Sequence, residues 1–184
     1  MYKRRPLMGV WRTAMRTPGP MSFQPGAVIK GTPYRIIRPI GVGGMGEVYE
    51  VVHARTSRRL AIKVARTHLR DDVASLYRLV REGRALSSIQ HPNVVKVFEA
   101  GELPNGRPYF AMELLEGTSM KNVIKRAPLS FARSVDLACQ ALDGLSAIHR
   151  HGLIHRDVKP SNLFLDLDGV LKVLDLGVVK STNS

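Results

Sequence analysis

His155-Arg156-Asp157-Val158-Lys159-Pro160-Ser161-Asn162 is the stretch that decides how this chain is read. An Asp is followed by a Lys and then an Asn, in a turn-forming segment that carries a Pro. A second acidic element follows at Asp175-Leu176-Gly177. An Asp and an Asn at this spacing can face one pocket from a short loop. A further Asp from a neighbouring hairpin can then complete a hard oxygen site of the kind Mg²⁺ prefers. A carboxylate beside a metal-bound phosphate is the arrangement that orients a hydroxyl nucleophile. A lone Asp or Asn in a loop is usually a turn residue making local hydrogen bonds. The ordered octet together with the second acidic loop asks for more than that.

Outward from the octet, residues 163–165 and 171–174 frame a turn at Asp166-Leu167-Asp168-Gly169. That hairpin carries Asn162 at one end and Asp175 at the other, so both face one cleft. Upstream, residues 130–151 read as the best helix of the chain. Ser130 can cap it and Gly152 can end it, and Phe131, Val135, Ala138, Leu142 and Leu145 make one apolar face. Further upstream, Gly41-Val42-Gly43-Gly44-Met45-Gly46-Glu47-Val48-Tyr49 follows a strand at 34–40. A dinucleotide-binding glycine fingerprint must open a helix. Here Val48, Tyr49, Val51 and Val52 follow and favour a strand, so the glycines cap a hairpin, and a turn at Arg55-Thr56-Ser57-Arg58 leads into another strand over 60–64. Residues 71–88 read as a helix with Leu76, Leu79, Val80 and Leu86 on one side and Glu82 between Arg81 and Arg84. Strands are predicted at 94–100 and 109–114, around a turn at Pro104-Asn105-Gly106.

The octet resembles the catalytic loop of the protein kinase superfamily, H-R-D-x-K-x-x-N, and Asp175-Leu176-Gly177 its D-F-G metal loop with Leu for Phe. Ala61-Ile62-Lys63 is similar to its V-A-I-K strand, and His91-Pro92-Asn93-Val94-Val95 to the turn after its regulatory helix. The resemblance covers about residues 31–180, and Lys159 is the serine/threonine form. The glycine segment looks most like that of bacterial serine/threonine kinases of the eukaryotic type. It implies an α+β fold: an antiparallel N-lobe sheet with one helix, then the start of a helical C-lobe. Domains follow as a disordered basic leader at 1–30, an N-lobe with hinge at 31–116 and a partial C-lobe at 117–184.

The resemblance also implies roles. Asp157 orients the substrate hydroxyl, Lys159 balances γ-phosphate charge, and Asn162 and Asp175 hold Mg²⁺. Lys63 contacts the α- and β-phosphates of ATP and pairs with Glu82. Gly41, Val42, Gly43, Gly44, Met45 and Gly46 cover the phosphates, where glycine lets backbone approach oxygens closely. Val48, Ala61 and Phe164 enclose the adenine, with Phe164 an aromatic where the family usually has an aliphatic floor. Met112 gates the back pocket, and Glu113, Leu114 and Leu115 form the hinge. His155 is structural, and Arg156 would dock a phosphorylated threonine.

Composition bounds the remaining readings. The 184 residues suffice for one or two domains with a core. The single cysteine, Cys139, excludes an internal disulfide and reads as a buried small residue in a helix. No apolar run approaches a membrane span, no signal-peptide core is evident, and the expected compartment is cytoplasmic. The net charge of +13 raises nucleic acid as a partner, and no Asp or Glu precedes Glu47. The basic residues otherwise scatter without interleaved aromatics, so no nucleic-acid partner is expected. The family pattern continues beyond the position of Ser184 with an activation segment and further helices. The chain is therefore read as truncated, with apolar faces of the 130–151 helix and of the hairpin bare and self-association through them. Two rival readings are an impaired ATP-binding regulator and a small-molecule kinase of the aminoglycoside type. The Arg156-to-Lys159 loop speaks against the latter.

Overall fold

A computed structural model of the chain describes residues 21–42, 46–65, 86–174 and 180–181. Five strands form one antiparallel sheet: β1 (Tyr34–Val42), β2 (Gly46–His53), β3 (Arg59–Ala65), β4 (Val97–Glu102) and β5 (Pro108–Glu113). Their order is β1-β2-β3-β5-β4. β-branched and aromatic residues fill these strands, as a pleated and largely buried surface favours. Side chains alternate between two faces. One face buries Tyr49, Val51, Leu60, Ile62 and Val64 with Ile29, Tyr34 and Ile36. The other turns Val48 and Ala61 towards Leu115, Phe164, Val94 and Val173 in a second cluster.

The chain continues through β6 (Gly117–Ser119), α1 (Met120–Arg126), α2 (Phe131–Arg150), β7 (Leu153–Ile154), β8 (Leu163–Asp166), β9 (Leu171–Val173) and β10 (Lys180–Ser181). β6, β8 and β9 form a small antiparallel sheet in that order, and β10 pairs with β7. The β8–β9 turn closes as its residues dictate: Asp166 Oδ1 accepts from the Asp168 and Val170 N–H groups at 3.0 and 2.8 Å. Two backbone bonds stitch the layers together. The Val95 N–H donates to Val173 O at 3.0 Å and the Val173 N–H to Asn93 O at 2.8 Å. This pairing takes up residues 94–95, so the strand expected over 94–100 begins only at Val97.

α2 forms as its caps demand: Ser130 Oγ accepts the Arg133 N–H at 3.3 Å. The apolar face read from the pattern, expected to be bare, is largely exposed, and α2 packs by another. Leu137, Gly144, Ala147 and Ile148 are buried against the core. Phe131, Val135, Ala138 and Leu142 are exposed, Phe131 at 85% and Leu142 at 64%, and Leu145 is half-buried. Cys139, expected to be buried, lies exposed on the same helix. The hairpin face is not bare: Phe164, Leu171 and Val173 are all buried. α1 and β6 were not anticipated. α1 is two turns long and mostly polar, too short for periodicity to register, and β6 exists only by pairing with β8.

The leader expected over 1–30 ends earlier. Residues 21–30 lie on the sheet, with Ile29 fully buried and the Phe23 ring edge-on to Tyr49 at 5.6 Å. Its earlier part, and the Glu82 helix up to residue 85, lie outside the described residues. Ion pairs brace the sheet as well. Buried Glu50 is bracketed by Arg38, whose Nε is 2.7 Å from Oε2, and by Arg59.

Gly117, which turns the chain out of the sheet, has φ +150°, and a Cβ there would lie 2.2 Å from Leu165 O and 2.9 Å from Phe164 Cε1. Neither backbone nor a packed ring can yield cheaply. Gly117→Ala is expected to cost about 1–3 kcal/mol, read as a lowered urea midpoint. A midpoint equal to wild type would show that the β6–β8 contact is looser than this geometry.

Candidate active site

The loop from β7 to β8 ends in a single 3₁₀ turn, Pro160–Asn162, opened by the proline. Its geometry is set by His155, whose ring is buried. His155 Nε2 lies 2.7 Å from Leu174 O. A carbonyl can only accept, so Nε2 carries the proton and Nδ1 is left as acceptor. The Asp157 N–H donates to that Nδ1 at 3.3 Å and to His155 O at 2.9 Å. Arg156, exposed, takes a left-handed conformation with φ 64° between them.

Asp157 therefore has a fixed backbone, and its carboxylate is fixed too. Oδ2 accepts from Lys159 Nζ at 2.6 Å and from Asn162 Nδ2 at 3.0 Å. Asn162 Nδ2 also donates to Asp157 O at 2.9 Å. The Lys159 ammonium, helped by Asn162 and opposed by partial desolvation, holds the Asp157 carboxyl below the usual carboxylate range. With its nitrogen committed, Asn162 keeps Oδ1 as its remaining hydrogen-bonding atom, a hard oxygen suited to Mg²⁺. The Leu174 N–H donates to Asn162 O at 2.8 Å. Both backbone groups of Leu174 are thus tied to this loop, one to His155 and one to Asn162. Asp175, the next residue and the second expected metal ligand, lies outside the described residues, as does Glu82.

Across the cluster, β1 and β2 pair Gly41 with Val48 and Val42 with Glu47, while Gly43, Gly44 and Met45 lie outside the described residues. In β3, Lys63 stands opposite Val48 and Phe110, so it shares their face of the sheet. Val48, Ala61, Leu115 and Phe164 meet in one apolar cluster, with Met112 and Leu114 packed against it. The expected enclosing residues are therefore together, on the side where the two layers meet. Gly46 lies against β3, where a Cβ would be 2.4 Å from Val64 O.

Two features escaped the pattern. Glu113 uses its N–H on Lys96 O at 2.9 Å, and its Oε1 accepts the Lys96 N–H at 2.8 Å and Lys172 Nζ at 3.0 Å. It clasps β9 to the segment before β4. The second is a buried polar cluster beneath the glycines. Glu47 accepts from Tyr49 Oη, Ser22 Oγ and Arg107 Nη2 at 2.8, 3.0 and 3.2 Å. Its only trace in the sequence is that Glu47 is the first acidic residue of the chain.

Among the described residues no helix is long and apolar enough to cross a membrane. The protein kinase domain family matches residues 34–184. The chain is 37% identical over 150 residues to the probable serine/threonine-protein kinase PknB of Lactococcus lactis, covering 80% of this chain and 24% of that one. It is 36% identical over 159 residues to the serine/threonine-protein kinase pkn2 of Myxococcus xanthus, covering 85% and 19%. The fold matches the crystal structure of the Mycobacterium tuberculosis PknI kinase domain with a TM-score of 0.73 and 28% identity, over 87% of this chain and 64% of that one. The chain thus spans 24% and 19% of the length of the two curated relatives.

Proposed function

Because the chain belongs to the protein kinase domain family and is similar to bacterial serine/threonine kinases, we propose that it transfers the γ-phosphate of Mg-ATP to serine or threonine hydroxyls of proteins. The observation that carries this reading is the Asp157 carboxylate, held by Lys159 and Asn162 at 2.6 and 3.0 Å. A carboxylate so held is ionised and fixed in direction, as the acceptor of a substrate hydroxyl proton must be. Lys159, half exposed, is near enough to share its charge between Asp157 and an incoming phosphoryl group. Asn162, with Asp175, would hold Mg²⁺, which would supply the positive charge that offsets the phosphates. Lys63 would hold the nucleotide phosphates from β3, with Glu82 as its partner. The apolar cluster of Val48, Ala61, Met112, Leu115 and Phe164 supports adenine binding, with Glu113 at the hinge. A site for ATP fits a cytoplasmic chain. The exposed Phe131, Val135 and Leu142 support self-association through α2.

Nucleotide binding can be tested apart from transfer. Lys63→Ala is expected to weaken Mg-ATP binding about tenfold or more, since a charge-assisted contact to phosphate is lost. Calorimetric titration reads this directly. Unchanged affinity in a folded variant would remove Lys63 from the site.

A further inference from the structure

The polar cluster beneath the glycines takes no part in the chemistry above, and its makeup suggests a control point. Glu47 alternates with Val48, so its carboxylate lies on the sheet face turned away from the cleft. Glu47, Tyr49 and Arg107 are all buried, Arg107 at 4% exposure. Ser22 is the exposed member of the ring. Its hydroxyl donates to Glu47 Oε1 at 3.0 Å and accepts from Arg107 Nη1 at 2.8 Å. Arg107 is held in turn by Nε donating to Ala65 O at 2.7 Å. Phe23 adds its N–H to Tyr49 Oη at 3.2 Å. The segment ahead of the sheet is thus tied to the first residue after the glycines. Gly46 cannot absorb a shift of Glu47, because its backbone abuts β3 with no room for even a Cβ.

Glu47 and Arg107 cancel in charge, and the Ser22 hydroxyl proton completes the ring. A phosphate ester on Ser22 removes that proton and adds a charge of about −1.5 to −2 beside a carboxylate. Arg107 cannot turn wholly to the phosphate while its Nε serves Ala65.

We propose that Ser22 is a phosphorylation-sensitive latch. As a free hydroxyl it positions the start of β2, residues 46–49, through Glu47, and as a phosphate ester it releases those residues and weakens nucleotide binding. In the modifying step the Oγ–P bond forms as the bond from the γ-phosphorus to the ADP oxygen breaks, and the hydroxyl proton passes to a carboxylate base. Ser22 lies on the face away from the cleft, so the ATP site that modifies it belongs to another kinase molecule. The positioning half rests on the nucleotide-binding reading above, so the test carries a second readout independent of nucleotide.

The 184-residue chain is compared with Ser22→Thr, Ser22→Ala and Ser22→Glu. Mg-ATP affinity is read by titration, and amide hydrogen exchange is read at residues 46–49 and in α2. Ser22→Thr, which keeps the hydroxyl, is expected to match wild type. Ser22→Ala is expected to lose about threefold in affinity and Ser22→Glu about tenfold or more, the size of a hydrogen bond to a charged group. Exchange at 46–49 should quicken in the same order while α2 stays as it was. Unaltered exchange in Ser22→Glu overturns the latch. So does quickened exchange with wild-type affinity, since release would then not reach the nucleotide. If wild type itself binds no nucleotide, the nucleotide reading has failed and the positioning half with it, while exchange still decides whether Ser22 holds the segment.

Discussion

Asp157→Asn is expected to lower phosphotransfer by about a thousandfold, within the range for losing a positioned general base, with Mg-ATP affinity unchanged. The side chain keeps its size and loses its charge. Lys159 Nζ at 2.6 Å and Asn162 Nδ2 at 3.0 Å both donate to the oxygen that is replaced or rotated. An amide offers them one acceptor oxygen and adds a donor among donors, so Lys159 is no longer neutralised and no base faces the substrate hydroxyl. The nucleotide contacts assigned to Lys63 and to the apolar cluster lie elsewhere, so the loss should fall on kcat and leave ATP binding alone. Transfer of labelled phosphate to a generic basic protein, beside a binding titration, reads both quantities. Rates near wild type would take the catalytic role from Asp157. A wild-type chain that binds ATP and transfers nothing would favour the ATP-binding regulator instead. The pH profile carries a further sign. Lys159 first, and Asn162 with it, hold the Asp157 carboxyl below the ordinary range. Asp157 therefore stays ionised wherever an ordinary carboxyl does, and its protonation should produce no fall in rate between pH 7 and 5.

The largest expected effect on stability belongs to Arg107→Ala. Arg107 and Glu47 are paired at 3.2 Å with side chains only 4% and 8% exposed. Removing the guanidinium strands a buried carboxylate and empties the Ala65 carbonyl and Ser22 hydroxyl of a donor. Breaking one side of a buried pair costs about 3–5 kcal/mol. For a chain of this size each kcal/mol moves Tm by roughly 2–4 °C, so a fall of roughly 6–20 °C is expected by calorimetry. Burial by itself would raise the Glu47 pKa, but hydrogen bonds from Tyr49, Ser22 and Arg107 outweigh it and hold the carboxyl low. A carboxyl depressed on folding stabilises above its unfolded pKa of about 4.3 and loses that contribution as pH falls through the folded value. The gap between wild type and Arg107→Ala should therefore narrow below about pH 4. A gap that stays constant into acid would show that the loss is one of packing and not of charge.

The candidate site loop and the sheet were legible in the chain because both are written in local chemistry. The octet at 155–162 carries its turn, its acid and its amide within a few residues. The strands of the five-stranded sheet alternate or run apolar between Gly, Pro and Asn turns, and Ser130 and Gly152 mark the ends of α2. Local spacing says nothing of what meets from afar. Ser22 and Glu47 are 25 residues apart, Lys172 and Glu113 59, and Arg107 and Glu47 60. Each residue alone reads as a solvated charge or hydroxyl, and each is brought to its partner only by the tertiary fold. α2 shows the same limit on a single element. Apolar residues cover more than one side of it, so a period of 3.6 residues finds a helix without choosing its inner face. That choice was made by β9 and the Asn93 carbonyl, against which Gly144 is seated, 2.5 Å from where a Cβ would stand. Sequence by itself determined the five strands of the main sheet, α2, the β8–β9 hairpin and the order of the acids and amides. Tertiary packing alone decided which charges are buried together, because burial depends on the whole surface that closes over a side chain.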